Sequence, residues 1–367
     1  MIPIRLREDL NIVLAKIAQR LDLDETRYKN ANEKYVAVSD WLVKDGSLLE
    51  EYSPEIYPQG SFKLGTIVKP LTTDEYDIDL VCELKKYSGN PQEIKDLVGR
   101  RLKENQIYTP PMLEEKNRCW RLIYKGDFHL DILPARQQNG LNPIDTTIEI
   151  PDKELKEWTV SNPKGYAEWF AIVMAQQFDR NRILLASKEN KSIEEVPDYQ
   201  VKTTLQQVIQ LMKRNRDIVF NDDQDDKPNS IIIATLAALS YSNQSDLFET
   251  LLTLLRDMPS KVTFENGIPW VKNPVNQEEN FADKWEKFPA RKEKFMAWVH
   301  DLQKKLDSCS MIQSIEEVEE YLEELFGESV TQFAVEELKK QREKERISSI
   351  SVPKTVHISD PNKPWKE

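Results

Sequence analysis

The chain has 367 residues, of which 39% are hydrophobic and 31% are charged, and its formal net charge is −12. This length and composition are typical of a folded, polar protein with enough core for two or three domains. The acidic balance argues against a sequence-independent binder of long nucleic acid, which needs a broad basic face. It permits a small anionic ligand such as a nucleotide, held in a local basic pocket.

The cysteines and the apolar runs indicate the cellular compartment of the protein. Cys82, Cys119 and Cys309 are far apart in the sequence and predict neither a disulfide framework nor a zinc cluster. The N-terminus lacks the apolar stretch of a signal peptide, and the longest apolar run, residues 231–239, is too short to span a bilayer. We therefore expect a cytoplasmic protein without a membrane partner.

In chain order, the first elements are helices followed by strands. Apolar residues at helical spacing predict one or two long helices over residues 4–46. Strand and loop follow over residues 54–84, which end in an alternating apolar–polar run, and residues 91–105 predict a helix. Two further strands are predicted at Cys119–Lys125 and Phe128–Pro134, separated by a glycine turn.

Beyond residue 160 the sequence is almost entirely helical in pattern. Asn162-Pro163 is a typical helix start, since asparagine can cap the first turn and proline is tolerated within it. The predicted helices are 164–186, 199–219, 229–242, 246–257, 281–306, 314–326 and 331–346. We expect a two-lobed α+β protein whose domains are N-terminal bracing helices (1–50), a mixed-sheet core (51–160), a helical lobe (161–347) and a polar tail (348–367).

Three aspartates are the candidate catalytic residues. Asp77 and Asp79 are separated by one residue in a predicted strand, so their side chains point to the same face. Carboxylates this close repel each other and are most easily retained where a divalent cation neutralises them, usually Mg²⁺. Asp131 adds a third carboxylate on a neighbouring strand. Three such carboxylates can hold the two metal ions of phosphoryl-transfer chemistry.

A Gly60-Ser61 pair precedes these aspartates and is suited to phosphate. Glycine lets the backbone approach a ligand closely, and serine adds a hydroxyl donor at the start of a helix. Each signal is weak by itself, because an Asp-x-Asp on a strand is often only solvent-exposed polarity. The order, the spacing and the strand context together favour one site that binds Mg²⁺ and a phosphate.

These motifs resemble those of polymerase-β-type nucleotidyltransferases. More closely, they are similar to the bacterial cyclic-oligonucleotide synthases (CD-NTases), which are relatives of animal cyclic GMP-AMP synthase and of oligoadenylate synthase. The similar segments in the sheet core are Gln59-Gly60-Ser61, Asp77-Ile78-Asp79 and Phe128–Pro134. In the helical lobe, Leu211-Met212-Lys213 and Lys227-Pro228-Asn229-Ser230 resemble the family's lysine and serine contacts to the triphosphate.

The resemblance implies a function. Asp77, Asp79 and Asp131 would be both metal ligands and catalytic residues, and the cofactor would be two Mg²⁺ ions, with Mn²⁺ able to substitute. The enzyme would join nucleoside triphosphates into a cyclic di- or trinucleotide and release pyrophosphate. The product would be a second messenger of antiphage defence that acts on a separate effector. The chain shows no zinc-binding insertion and no basic DNA-binding surface, so activation by DNA is not expected.

Several candidate binding residues have a second interpretation. Lys213 could contact a triphosphate or lie on a helix surface, and Ser230 could bind phosphate or cap its helix. Arg121 could bind a base or phosphate, or could pair with a carboxylate. Gln59 is a candidate donor to the nucleotide, whereas His129 is better explained by a structural hydrogen bond.

Two alternative functions remain open from the sequence. The first is a nucleotidyltransferase that modifies RNA 3′ ends or another hydroxyl acceptor. The second is a nucleotide-binding interaction protein without turnover, which the three aspartates argue against because a pure binder has no need to hold three like charges together. Base choice, linkage, ring size, the activating signal and the oligomeric state are not predicted by the sequence.

Overall fold

The computed structural model describes residues 4–71, 75–138, 146–152, 157–309 and 314–350. The helices are α1 (Ile4–Leu21), α2 (Glu25–Val43), α3 (Gly60–Leu64), α4 (Pro91–Lys103), α5 (Pro163–Glu189), α6 (Thr204–Val219), α7 (Ser230–Ser240), α8 (Leu247–Asp257), α9 (Lys284–Lys287), α10 (Pro289–Cys309), α11 (Ile315–Phe326) and α12 (Glu328–Ile350). The strands are β1 (Pro54–Gln59), β2 (Tyr76–Leu84), β3 (Leu113–Glu115), β4 (Trp120–Tyr124), β5 (Phe128–Gln137), β6 (Ile148–Asp152), β7 (Glu157–Ser161), β8 (Thr263–Glu265), β9 (Ile268–Trp270), β10 (Lys272–Asn273) and β11 (Asn276–Asn280).

The first seven strands form one mixed sheet in the order β1-β2-β5-β4-β3, and β6 and β7 extend it from β5. The central strands β2 and β5 are parallel, whereas β1 pairs with β2, and β4 with β5, in antiparallel fashion. Alternate residues of a strand face opposite sides of the sheet. On β2, Ile78 and Leu80 therefore lie on the apolar face, and Asp77 and Asp79 lie on the other.

Helices α2 and α4 cover the apolar face of the sheet. Val38 from α2 and Ile94 and Val98 from α4 are fully buried with Ile78 and Ile132 in one hydrophobic cluster. Burying such side chains stabilises the fold by about 1.5–3 kcal/mol each. The helices thus cover one face of the sheet, and the aspartates lie on the opposite face.

The helical half has its own core. Leu10, Leu14 and Ile17 of α1 are fully buried in a cluster with α6, α7, α8, α10, α11 and α12. The two N-terminal helices thus join different cores, because α2 packs against the sheet and α1 packs among the later helices. Among the described residues, no helix is long and apolar enough to cross a membrane.

The predicted helix boundaries are partly confirmed. Helix α5 begins at Pro163, and the Asn162 side chain accepts a hydrogen bond from the backbone of Gly165 (2.9 Å) as its cap. Helix α6 begins at Thr204, later than predicted, because Thr203 forms a capping box with the third helical residue. The helix predicted over 281–306 is wrong as one element, since Pro289 cannot donate a backbone hydrogen bond and separates α9 from α10.

Other elements were missed by the sequence pattern. Two hairpins, β8–β9 and β10–β11, lie between α8 and α9, and β6 and β7 form a third. In the first hairpin Asn266 and Gly267 both have positive φ angles of 51° and 83°, and Asn-Gly is a strong hairpin signal. Helix α12 continues to Ile350, into the predicted polar tail of residues 348–367. Residues 351–367 lie outside the described residues.

Candidate active site

Four polar residues lie side by side across four adjacent strands. Gln59 on β1 is the register partner of Asp79 on β2, which is the partner of Asp131 on β5, which is the partner of Arg121 on β4. Register partners point to the same face and neighbouring strands are about 4.8 Å apart. The sheet therefore places Asp131 next to Asp79, as the sequence predicts.

Asp79 is the aspartate whose charge is least compensated by bonded side chains. Among the described residues its side chain has no hydrogen-bond or salt-bridge partner. Burial, together with the charges of Asp131 and Asp77, raises the pKa of Asp79 to about 7. By contrast, the Asp77 side chain is 61% exposed. A cation at this point would offset both the burial and the repulsion.

Arg121 holds the third aspartate. Its Nε and Nη2 atoms donate to Oδ1 and Oδ2 of Asp131, both at 2.7 Å, and Nη2 lies 3.4 Å from Oδ1 of Asp77. The Asp131 side chain is only 16% exposed. Of the two interpretations that the sequence left open for Arg121, the described contact is the pairing with a carboxylate.

His129 contacts Asp77 and Glu75 but does not belong to the row of four polar residues. Its Nδ1 atom is 3.4 Å from Oδ1 of Asp77, and its Nε2 atom is 3.1 Å from Oε2 of Glu75. These contacts agree with the structural role expected from the sequence.

Gly60 is needed at its position for two reasons. Its φ angle is +62°, which disfavours residues with a side chain, and a Cβ at this position would overlap Oδ2 of Asp79. Gln59 directly precedes α3, Gly60 is its first residue, and Ser61 lies in its first turn. The backbone of this short helix thus lies against Asp79, so Gln59, Gly60 and Ser61 come together with the carboxylates.

Five side chains from the helical half bind the segment that follows Ser61, and we name these five hydrogen bonds the carbonyl clamp. They run from Gln206 to the carbonyl of Leu64 (3.0 Å), Lys202 to Gly65 (3.0 Å), Lys213 to Thr66 (2.8 Å), Gln210 to Ile67 (2.8 Å) and Arg214 to Lys69 (2.9 Å). All the donors except Lys202 belong to α6. The clamp therefore ties the position of α3 to the helical lobe.

Lys213 brings a cation from the helical lobe towards the carboxylates. Its side chain is buried, and this burial together with the nearby charge of Arg216 lowers the pKa of Lys213 to about 7. Asp79 opposes this effect, and Lys213 in turn favours the charged form of Asp79. Lys213 and Asp79 are thus close enough for their charges to interact across the cleft.

Ser230 belongs to a polar cluster and does not cap its helix. Asn229 occupies the cap position of α7 without a side-chain capping bond, and the Ser230 hydroxyl accepts a hydrogen bond from Nη1 of Arg216 (2.8 Å). Asp217 accepts from Nη2 of Arg216 (2.7 Å) and lies 2.8 Å from Nζ of Lys227. The cluster places two cations near Ser230.

Arg216 and Lys227 were not predicted as site residues. A signal for Arg216 was available, because Lys213 and Arg216 are three residues apart and share a helix face. Lys227 belongs to the motif that ends at Ser230, but only its contact with Asp217 shows that it joins the same cluster.

The donor set suits a divalent cation, although it is not assembled around one. Carboxylate oxygens are the preferred ligands of Mg²⁺, and Asp79 has no other side-chain partner among the described residues. Within the part of the chain that the structure describes, no three acidic, histidine or cysteine side chains converge on a common point. Both oxygens of Asp131 are engaged by Arg121.

A cavity of about 750 Å³ is lined in part by α3. Its lining includes Tyr28, Phe62, Phe170 and Tyr199 but none of the three aspartates. Cavity volume alone would therefore place the site away from the carboxylates. The strand register and the charges of the three aspartates indicate a site on the sheet instead.

Comparisons with known proteins agree with this geometry. Residues 10–173 match the family described as Second Messenger Oligonucleotide or Dinucleotide Synthetase. A c-di-GMP synthase from Roseivirga ehrenbergii is 35% identical over 325 residues, which cover 88% of this chain and 85% of that protein. The cyclic dinucleotide synthase CdnG from Bradyrhizobium diazoefficiens is 25% identical over 347 residues, covering 88% and 82%.

Solved structures support the same fold. The structure of CdnG from Bradyrhizobium diazoefficiens in complex with GTP has a TM-score of 0.73 at 24% identity and covers 90% of this chain and 99% of that chain. The 3′-deoxy-GTP-bound DncV from Escherichia coli has a TM-score of 0.55 at 18% identity, covering 85% and 93%. The predicted α+β nucleotidyltransferase fold is confirmed. By fold and by sequence, the chain belongs to the second messenger oligonucleotide or dinucleotide synthetases, the bacterial CD-NTases, which are nucleotidyltransferases that make cyclic oligonucleotides.

Proposed function

We propose that this protein condenses nucleoside triphosphates, with GTP as at least one substrate, into a cyclic dinucleotide. The observation that carries the proposal is the row of Gln59, Asp79, Asp131 and Arg121 across four strands, with Lys213 within electrostatic range of Asp79. The choice of guanine is supported by the relative at 35% identity, which is named c-di-GMP synthase.

Each bond would form by the same displacement. A ribose hydroxyl of one nucleotide attacks the α-phosphorus of another, the new P–O bond forms, and the bond to pyrophosphate breaks as the hydroxyl proton leaves. A second displacement closes the ring. Two bound Mg²⁺ ions would neutralise phosphate charge and acidify the attacking hydroxyl, and Mn²⁺ would substitute. In this proposal Asp77 and Asp79 would bind the ion on the triphosphate side. Asp131 would face the attacking hydroxyl and help to remove its proton.

The triphosphate would lie between the two lobes. Gly60 lets the backbone approach a phosphate, Ser61 and Gln59 donate to it, and Lys213 and Ser230 approach from the helical side. Arg216 and Lys227, which lie in the Ser230 cluster, add positive charge where the pyrophosphate leaves. Arg121 would contact a base or phosphate only after it releases Asp131.

The product would act as a second messenger of antiphage defence on a separate effector. The family's description as second messenger synthetases supports the second-messenger part of this role. The reaction would take place in the cytoplasm, where nucleoside triphosphates are available, without a stable complex with long nucleic acid. In the host strain, loss of the aspartates would then abolish protection against phage in plaque counts.

The proposal is tested by mass spectrometry of products from GTP alone, ATP alone and all four nucleotides with Mg²⁺. We expect a phosphatase-resistant cyclic dinucleotide wherever GTP is present, and none from the Asp77→Asn/Asp79→Asn variant. Asp96→Asn, at an exposed position of α4, is the control and should behave as wild type. Transfer of label to an RNA 3′ end, or nucleotide binding without pyrophosphate release, would support one of the alternative functions instead.

A further inference from the structure

The contact between Arg121 and Asp131 conflicts with a role of Asp131 as a metal ligand. We propose that Arg121 competes with the divalent cation for Asp131, and so weakens the binding of metal by the nucleotide-free protein. This inference rests on the proposed function, because it presupposes a metal site at the three aspartates. It assigns to Arg121 the role of a competitor of the metal ion, which is distinct from contact with a nucleotide.

The geometry places the single positive charge of Arg121 beside two of the three aspartates. It bonds both oxygens of Asp131 at 2.7 Å and lies 3.4 Å from Asp77, whereas Asp79 has no such partner among the described residues. The positive charge that a metal ion would supply to Asp131 is already supplied by the side chain of Arg121.

The pairing is strong enough to compete. Two charge-assisted hydrogen bonds in a fork are stronger than neutral ones, and here both partners are shielded, with side-chain exposures of 24% for Arg121 and 16% for Asp131. A carboxylate oxygen that turns towards an ion loses its best geometry for accepting the hydrogen bond of the guanidinium. An ion that binds Asp131 must use the lone pairs that Arg121 leaves on the two oxygens, and there it meets the positive charge of the guanidinium, which opposes it.

The chain offers a matched control pair. Arg118, close to Arg121 in sequence, donates two hydrogen bonds from Nε (2.9 Å) and Nη2 (2.7 Å) to Oδ2 of Asp152. Neither residue belongs to the row of polar residues on the sheet. Arg118→Gln therefore removes an arginine–aspartate pair and the same charge, but leaves the two hydrogen bonds between Arg121 and Asp131 in place.

The test is the binding of Mn²⁺ to the nucleotide-free protein, followed by the electron paramagnetic resonance signal of the free ion. We expect Arg121→Gln to bind Mn²⁺ at least about tenfold more tightly than wild type, since a hydrogen-bonded competitor of Asp131 is lost. The gain should disappear in Arg121→Gln/Asp131→Asn and be absent in Arg118→Gln. Without metal, Arg121→Gln should also melt at a lower temperature than wild type, and Mn²⁺ should raise its melting temperature by more than that of wild type.

Arg121→Lys is a second variant in case Arg121→Gln fails to fold. It keeps the positive charge beside Asp131 but cannot form the two parallel hydrogen bonds of the guanidinium. Its affinity for Mn²⁺ should lie between those of wild type and Arg121→Gln. Unchanged or weaker binding by either variant would overturn the inference, because Arg121 would then orient Asp131 for the metal. The metal site itself would be wrong if Asp79→Asn left the affinity of wild type for Mn²⁺ unchanged, which separates failure of the proposed function from failure of the inference.

Discussion

The two sides of the cleft are built in different ways. On the sheet, Asp77, Asp79 and Asp131 are positioned by strand alternation and register, and they carry negative charge. On the helical side, Lys213 and Arg216 are buried and tied to backbone carbonyls, and they carry positive charge. The comparison shows that the sheet provides a fixed set of acids, whereas the opposing cations depend on tertiary contacts between the lobes.

A substrate with a metal-bound triphosphate matches both sides. Its cations would meet the acidic face of the sheet, and its terminal phosphates would meet Lys213 and Arg216 of α6 and Lys227, which precedes α7. The carbonyl clamp joins the two sides, because it holds the segment after Gly60 and Ser61 against α6. Changes on the sheet should therefore abolish chemistry, whereas changes in the clamp should weaken alignment.

The largest effect is expected on the acidic side. Asp79→Asn removes a negative charge from the centre of the polar row and should lower the rate of pyrophosphate release by about a thousandfold, as loss of a metal ligand and of charge stabilisation does. The rate is measured with saturating GTP and Mg²⁺, against Asp96→Asn as the control. Retention of more than a tenth of wild-type activity would show that the acidic side does not carry the chemistry.

The next effect concerns the contact of α3 with the sheet. Gly60→Ala forces Asp79 or the backbone to shift, and a misplacement of about 1 Å can lower kcat about a hundredfold. Gly126→Ala is the matched control, because Gly126 also has a positive φ (+80°) but has no atom within 4 Å of the added Cβ. Both variants should lose some stability, which thermal melting measures, but only Gly60→Ala should lose activity. Equal activities would show that the closeness of Gly60 to Asp79 is unimportant.

A smaller effect is expected from the carbonyl clamp. Gln210→Leu leaves the buried carbonyl of Ile67 without its donor, which should reduce the free energy of unfolding by about 1–3 kcal/mol. It should also raise KM for GTP by about tenfold, since α3 is no longer fixed relative to α6. Chemical denaturation and steady-state kinetics measure the two quantities. Gln207→Leu, on the same helix without a side-chain hydrogen bond among the described residues, should change neither, and a matching loss in Gln207→Leu would contradict the role of the clamp.

The smallest effect is on stability and follows from the raised pKa of Asp79. Its pKa is 3.8 in the ordinary case and about 7 in the folded protein, so folding favours the protonated form. Without metal, this contribution is complete in acid and is lost as the pH rises through about 7. Relative to Asp79→Asn, wild type should therefore become less stable between pH 4 and pH 7, by about 1–2 kcal/mol once residual hydration is allowed for. Urea unfolding of both proteins in EDTA measures this, and a constant difference would contradict it.

Much of the sheet site could be predicted because strand alternation is visible in the sequence. The period of two placed Asp77 with Asp79 and predicted that Arg121 could lie beside Asp131. The order of the strands was not visible, so the row that includes Gln59 emerged only from the register. The competition between Arg121 and a metal depends on a distance that no sequence pattern contains.

The helical side was harder to predict for a physical reason. Arg216 meets Ser230 only because α6 and α7 pack together, and the clamp requires α6 to lie along residues 64–69. Such contacts join residues far apart in the chain and leave no local periodic signal. The hairpin at Asn266-Gly267 is a different case, because the Asn-Gly dipeptide is a local hairpin signal that the sequence does contain.

The central claim is that nucleotide and metal bind at the aspartates of the sheet. It is tested most directly by a crystal structure with Mn²⁺ and a non-hydrolysable GTP analogue, in which anomalous scattering locates the ion. We predict an anomalous peak about 2.2 Å from carboxylate oxygens of Asp77 and Asp79, with the terminal phosphates near Lys213 and Ser230. A nucleotide bound in the cavity lined by Tyr28 and Phe62, with no ion at Asp79, would contradict the account.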